Sequence, residues 1–180
     1  MAMIPANFQV MKENYPRRRP PPVGGLNIPE LKTFMDHTPG TPCCVQVSHA
    51  LNKAGILVDQ RSNRRRTSPI RFGATTYYYL LAVDEMADFL KRKHGDGEEV
   101  SLDANGHRLL PAAIKARLNG RYGILVFRDR GYGFHVELWD NQHILQRDMN
   151  EHALFTQPRL LFWDVGTAFH DYGDSPTAMA

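Results

Sequence analysis

The last third of the chain constrains the fold most, because it reads as extended segments set off by turns. Tyr122–Phe127 (YGILVF), Phe134–Trp139 (FHVELW) and Arg159–Val165 (RLLFWDV) are short and rich in β-branched and aromatic residues. RDRGYG between the first two is a tight turn, and Ile144 and Leu145 suggest a further strand before the last. Most of what precedes is helical. Pro29–Asp36, Thr41–Ala54, Asp84–His94 and Pro111–Leu118 carry apolar residues at helical spacing. Thr41 reads as the N-cap of the second helix, Pro42 as its first residue and Gly55 as its stop. Thr75–Leu81 (TTYYYLL) reads as a strand and the arginine-rich stretch 59–73 as a loop. Helices first and an antiparallel sheet afterwards define an α+β domain.

A length of 180 residues suits one domain, expected over 26–166. Residues 1–25 read as a flexible N-terminal arm, since Arg17–Arg19 and Pro20–Pro22 favour polyproline conformation before Gly24 and Gly25. Residues 167–180 read as a loose tail. No apolar run approaches the ~20 residues of a membrane span. The N-terminal stretch lacks a continuous apolar segment before its basic cluster, so it does not read as a secretory signal peptide. The expected place of synthesis is the cytoplasm, with any export by another route.

The net charge of +3 is gathered in Arg17–Arg19 and in Arg61 with Arg64–Arg66. No aromatic residue interleaves these arginines, so a nucleic-acid surface is not expected. They suit a carboxylate-rich ligand equally well. There is no His-Glu-x-x-His, no Cys-x-x-Cys and no glycine-rich phosphate loop, and neither a metal nor a cofactor is expected.

The chain has two cysteines, and they are adjacent in TPCCVQVSHALNKAG. Both fall in the first turn of the second helix, where free backbone N–H groups and the helix dipole favour thiolate over thiol. Cys44 groups with Val47 and Leu51 on the apolar stripe, whereas Cys43 borders it beside Gln46, so the spacing favours Cys43 as the nucleophile and Cys44 as core. Of the eight histidines, His135 is the best base. Alternation in FHVELW sends Phe134, Val136 and Leu138 toward the core and sets His135, Glu137 and Trp139 on the other face. An orienting partner could come from the next strand. A two-residue turn would set Gln146 opposite His135, a four-residue turn Asp148; Asp148 is preferred because it would also stabilise the imidazolium. Glu137, on the same face of the same strand, is the rival carboxylate.

A helix-borne cysteine followed by a sheet-borne histidine is the papain-like order. Within that class the chain resembles the type VI secretion amidase effectors, specifically their fourth family. The likeness rests on Cys43 with Ser48 five residues later and Ala50-Leu51-Asn52 after it, on YGILVF, on His135-x-Glu137-Leu138-Trp139, and on LLFWDV. Phe134 departs from it, since the family has glycine there. The resemblance implies a papain-like α+β fold and catalysis by Cys43, His135 and Asp148. It implies hydrolysis of the γ-D-glutamyl–meso-diaminopimelate amide in peptidoglycan stem peptides, with the arginines of 61–71 available to steer them. It further implies injection by a secretion apparatus into the periplasm of a rival, and a periplasmic immunity protein as partner. A deamidase or transglutaminase-type toxin acting on protein would use the same residues. A non-enzymatic basic module would leave Cys43 unreactive.

Overall fold

The computed structural model describes residues 3–16, 28–37, 42–58, 67–147 and 149–166. In chain order its elements are β1 (Met3–Ile4), α1 (Phe8–Glu13), α2 (Pro29–His37), α3 (Pro42–Lys53), β2 (Thr67–Phe72), β3 (Thr75–Leu80), α4 (Val83–His94), β4 (Glu98–Glu99), α5 (Pro111–Leu118), β5 (Tyr122–Arg128), β6 (Gly133–Asp140), α6 (Glu151–Phe155) and β7 (Arg159–Val165). The main sheet runs β1-β7-β5-β6, with β4 also on β7. β5 pairs antiparallel with both neighbours, so Ile124 faces Leu138 on one side and Trp163 on the other. The α+β expectation holds.

YGILVF is apolar without alternation because both faces of the sheet are covered. Ile124, Val126, Val136 and Leu138 pack with Cys44, Val47 and Leu51 of α3 and Met86 and Leu90 of α4. Leu125 and Phe127 enter a second core with Leu118, Trp139, Phe155 and Phe162. Gly123 sits where the chains approach most closely, since a Cβ there would lie 2.2 Å from the Trp163 carbonyl oxygen. No helix among the described residues is long and apolar enough to cross a membrane.

Four expectations need correction. The N-terminal arm is ordered through its first half: β1 pairs parallel to β7, Asn7 caps α1 with its side chain, and Ile4, Phe8, Met11 and Tyr15 join the core. The loop read over 59–73 ends in a strand, because β2 pairs with β3 from Thr67 to Phe72; Pro69 is tolerated there because this sheet has only two strands. Ile144 and Leu145 form no further strand. Trp139 bridges Ile144 and the pairing stops, after which the chain folds into α6. Phe134, read as core, is 46% exposed where β6 begins. Thr41, read as the cap of α3, lies outside the described residues.

Candidate active site

Helix α3 begins at Pro42, so Cys43 and Cys44 are its next two residues. The helix is anchored through its polar side chains, not only its stripe. Ser48 Oγ accepts from the Leu80 N–H at 3.0 Å, and the Asn52 amide donates to the Tyr78 carbonyl at 2.9 Å. Asn52 also accepts from the Val58 N–H at 2.8 Å. These bonds lock α3 to β3 and to the chain that follows the helix, which gives Ser48 and Asn52 of the sequence motif a structural purpose.

The first turn of α3 meets β6, which ends the sheet path among the described residues. An edge strand keeps N–H groups that no neighbouring strand uses, and that of Val136 donates to the Cys43 sulfur. His135, beside it on β6, reaches the same sulfur with its imidazole. Cys43 is 5% exposed and Cys44 wholly buried. The Cys43 thiol is held well below its ordinary range: the Cys44 side chain hydrogen-bonds to it and the His135 imidazole adds a bond and a charge, together outweighing burial. His135 moves the other way, up to about 9. Burial opposes that rise, but the Cys43 thiolate and the Glu137 carboxylate prevail. The two shifts describe a thiolate–imidazolium pair.

Glu137 is wholly buried. Its Oε1 accepts from the Leu138 N–H at 2.9 Å, and its Oε2 faces His135 Nε2 at 3.5 Å. The Tyr15 hydroxyl, just beyond α1, lies against the same carboxylate and is pushed up by burial and by that negative charge. The structure thus brings together Cys43 and His135, as expected, and adds Glu137, the rival for the third position. Asp148 lies outside the described residues. The bridge from Trp139 to Ile144 closes a four-residue turn, the length expected to favour Asp148 over Gln146, but the pairing goes no further than the Leu145 N–H on the Leu138 carbonyl at 3.0 Å. Arg61 and Arg64–Arg66 are also outside the described residues, while Arg71 donates to the Gly73 carbonyl.

Tyr15 is the residue that sequence reasoning passed over. Phe8, Met11 and Tyr15 recur at helical spacing, a signal overshadowed by the polyproline stretch that follows.

A cysteine at a helix start, with a histidine on the edge of an antiparallel sheet beside it, defines the papain-like cysteine hydrolases. The model of the family described as type VI secretion system (T6SS) amidase effector protein 4, Tae4, matches residues 40–163. The chain belongs to this family of amidase effectors, hydrolases that act on peptidoglycan. Among solved structures, the Tae4 effector of Enterobacter cloacae is similar at 19% identity and a TM-score of 0.61, over 92% of this chain and all of that one. The E. cloacae Tae4–Tai4 effector–immunity complex matches at 20% and 0.59 over 91% of this chain and 100% of the matched chain. The Salmonella typhimurium Tae4/Tai4 system matches at 16% and 0.55 over 91% and 100%. At these identities the structures speak to the fold, and they bear out the papain-like reading. No curated protein matches the chain.

Proposed function

We propose that Cys43 is the nucleophile and His135 the acid–base of an amidase that cuts the γ-D-glutamyl–meso-diaminopimelate bond of peptidoglycan stem peptides. The observation that carries the reading is the Cys43–His135 contact, with the thiol shifted down and the imidazole up. The Cys43 thiolate attacks the carbonyl carbon, and backbone N–H groups at the start of α3, including that of Cys43, face the oxyanion. As the C–N bond breaks, His135 gives its proton to the departing amine and a thioester remains. His135 then takes a proton from water, the hydroxide displaces the sulfur, and the acid product leaves with the thiolate–imidazolium pair restored.

Two carboxylates compete for the role of orienting the imidazole. Glu137 is supported by its 3.5 Å approach to Nε2, and Asp148 by the resemblance and by the length of the turn at Asp140–His143. Glu137→Gln and Asp148→Asn, compared for kcat, separate them: the orienting carboxylate is the one whose amide loses about 10²-fold or more.

The same reading has the chain made in the cytoplasm of its producer, delivered by the type VI apparatus into the periplasm of a rival, and neutralised there by an immunity protein, as the Tai4 complexes of related effectors suggest. The test is digestion of purified peptidoglycan under reducing conditions with wild type, Cys43→Ala, Cys44→Ala and His135→Ala, the products read by mass spectrometry. Cut stem peptides from wild type and Cys44→Ala alone are expected, and their masses identify the bond. Absence of cutting by wild type overturns the substrate, and protein deamidation becomes the reading to test.

A further inference from the structure

Three buried polar atoms lack a completed hydrogen bond at the site, Tyr15 Oη, Glu137 Oε2 and His135 Nε2; the last two stand 3.5 Å apart, and Glu137 and Cys43 are among the charges that act on the tyrosine. Burying unsatisfied polar groups costs free energy, so their gathering at one point is not accidental packing. Tyr15 is 2% exposed and Glu137 wholly buried. What brings the tyrosine here is the N-terminal segment. β1 fixes its start on β7, α1 carries it along α3, and the buried Gln46 amide donates to the Pro16 carbonyl at 2.7 Å. Gln46 lies one helical turn after Cys43, so the helix that bears the nucleophile also clamps the residue after Tyr15.

We propose that Tyr15 is a positioning residue: its hydroxyl donates to the Glu137 carboxylate and holds it against His135. The inference rests on the reading of Cys43 and His135 as the reactive pair. A buried carboxylate needs hydrogen-bond donors, and Glu137 has the Leu138 N–H on one oxygen and the tyrosine and imidazole toward the other. Among the described residues, the titratable groups that face this cluster are His135 on β6, Tyr15 after α1, and Cys43 and Cys44 on α3. The Lys12–Asp140 ion pair, at 3.4 Å, closes the far end of β6. Removing the phenolic donor frees the Glu137 carboxylate to turn away from its 3.5 Å approach to His135 Nε2. His135 then loses its anionic neighbour, and the thiolate fades earlier on the acid side.

Site-resolved alkylation of Cys43 by iodoacetamide reads this without any substrate. It is run on the full chain as wild type, Tyr15→Phe, Glu137→Gln and the double variant, from about pH 4 to pH 8, with a thermal melt of each. In Tyr15→Phe the acidic half-point of alkylation is expected to move up by about one pH unit, roughly a tenfold loss of rate on that limb. The melting transition is expected to stay, and Tyr15→Phe is expected to have no further effect once Glu137 is Gln. A wild-type half-point overturns the proposal, as does a shift that persists in the Glu137→Gln background. A Tyr15→Phe chain without a melting transition overturns it too, since the hydroxyl would then be a bond of the fold. If the shift is seen while wild type leaves peptidoglycan uncut, the substrate reading fails and the role of Tyr15 stands.

Discussion

Two buried histidines, His49 and His135, are shifted in opposite directions, and the contrast shows what a site needs beyond burial. His49 is 1% exposed and His135 6%. On α3, His49 Nδ1 pairs with the Tyr79 hydroxyl at 2.9 Å, and its ring stacks on that tyrosine with an interplanar angle of 9°. Its partner is neutral, and burial, helped by the positive charge of Lys53, drives it down to about 4. His135 is nearly as dry, yet its neighbours are a thiolate and a carboxylate, and it rises to about 9. The same residue type is thus a neutral spacer in one place and a stored proton in another, decided by the sign of the charge placed against it.

Replacing the two histidines gives the largest difference. His135→Ala is expected to lose about 10³-fold or more in kcat while keeping a cooperative melting transition. His49→Gln is expected to keep its activity and lose stability, and equal losses of activity would break the comparison. Next comes the pH dependence of activity. The leaving amine needs the His135 proton, so kcat/KM should fall about tenfold per pH unit above about 9. A profile still flat a full unit above that point would remove the imidazolium from the mechanism.

Stability should depend on pH through both groups with opposite signs. The unfolded chain protonates His49 below about 6.5 while the fold resists until about 4. Stability is therefore lost as pH falls through that window, by about 3 kcal/mol. His135 contributes stability that is full below about 6.5 and gone once pH passes about 9. Urea unfolding near pH 5 and pH 7 checks the first limb, whose slope should flatten in His49→Gln. The smallest effect belongs to Cys44→Ala. Its loss of buried sulfur should cost about 1 kcal/mol, cutting should survive, and the acid half-point of Cys43 alkylation should rise because a donor to the thiolate is gone.

Much of the site was legible because its signals are local. A cysteine in the first turn of a proline-started helix and a histidine in a strand that alternates from Phe134 to Leu138 are properties of short windows. The unreadable parts depend on pairings far apart in the chain. Phe134 obeys the alternation of β6 yet stands exposed, because the strand begins there before the core does. Residues 3–15 were read by the polyproline stretch after them, while their burial depends on β7, some 160 residues away in register with Ile4 at Val165. Nothing local announces such a partner.

The sequence alone determined the longer helices α2 to α5 and the strands β3, β5, β6 and β7, the helix start that favours a thiolate, and the face of β6 that carries His135 and Glu137 together, since period and capping act over a few residues. Only the tertiary structure decided which charges meet. It set the edge of β6 against the first turn of α3, brought Tyr15 to Glu137 from the other end of the chain, and left His49 with a neutral partner. Electrostatic energy depends on distance through a low-dielectric interior, and that distance is fixed by packing rather than by spacing along the chain.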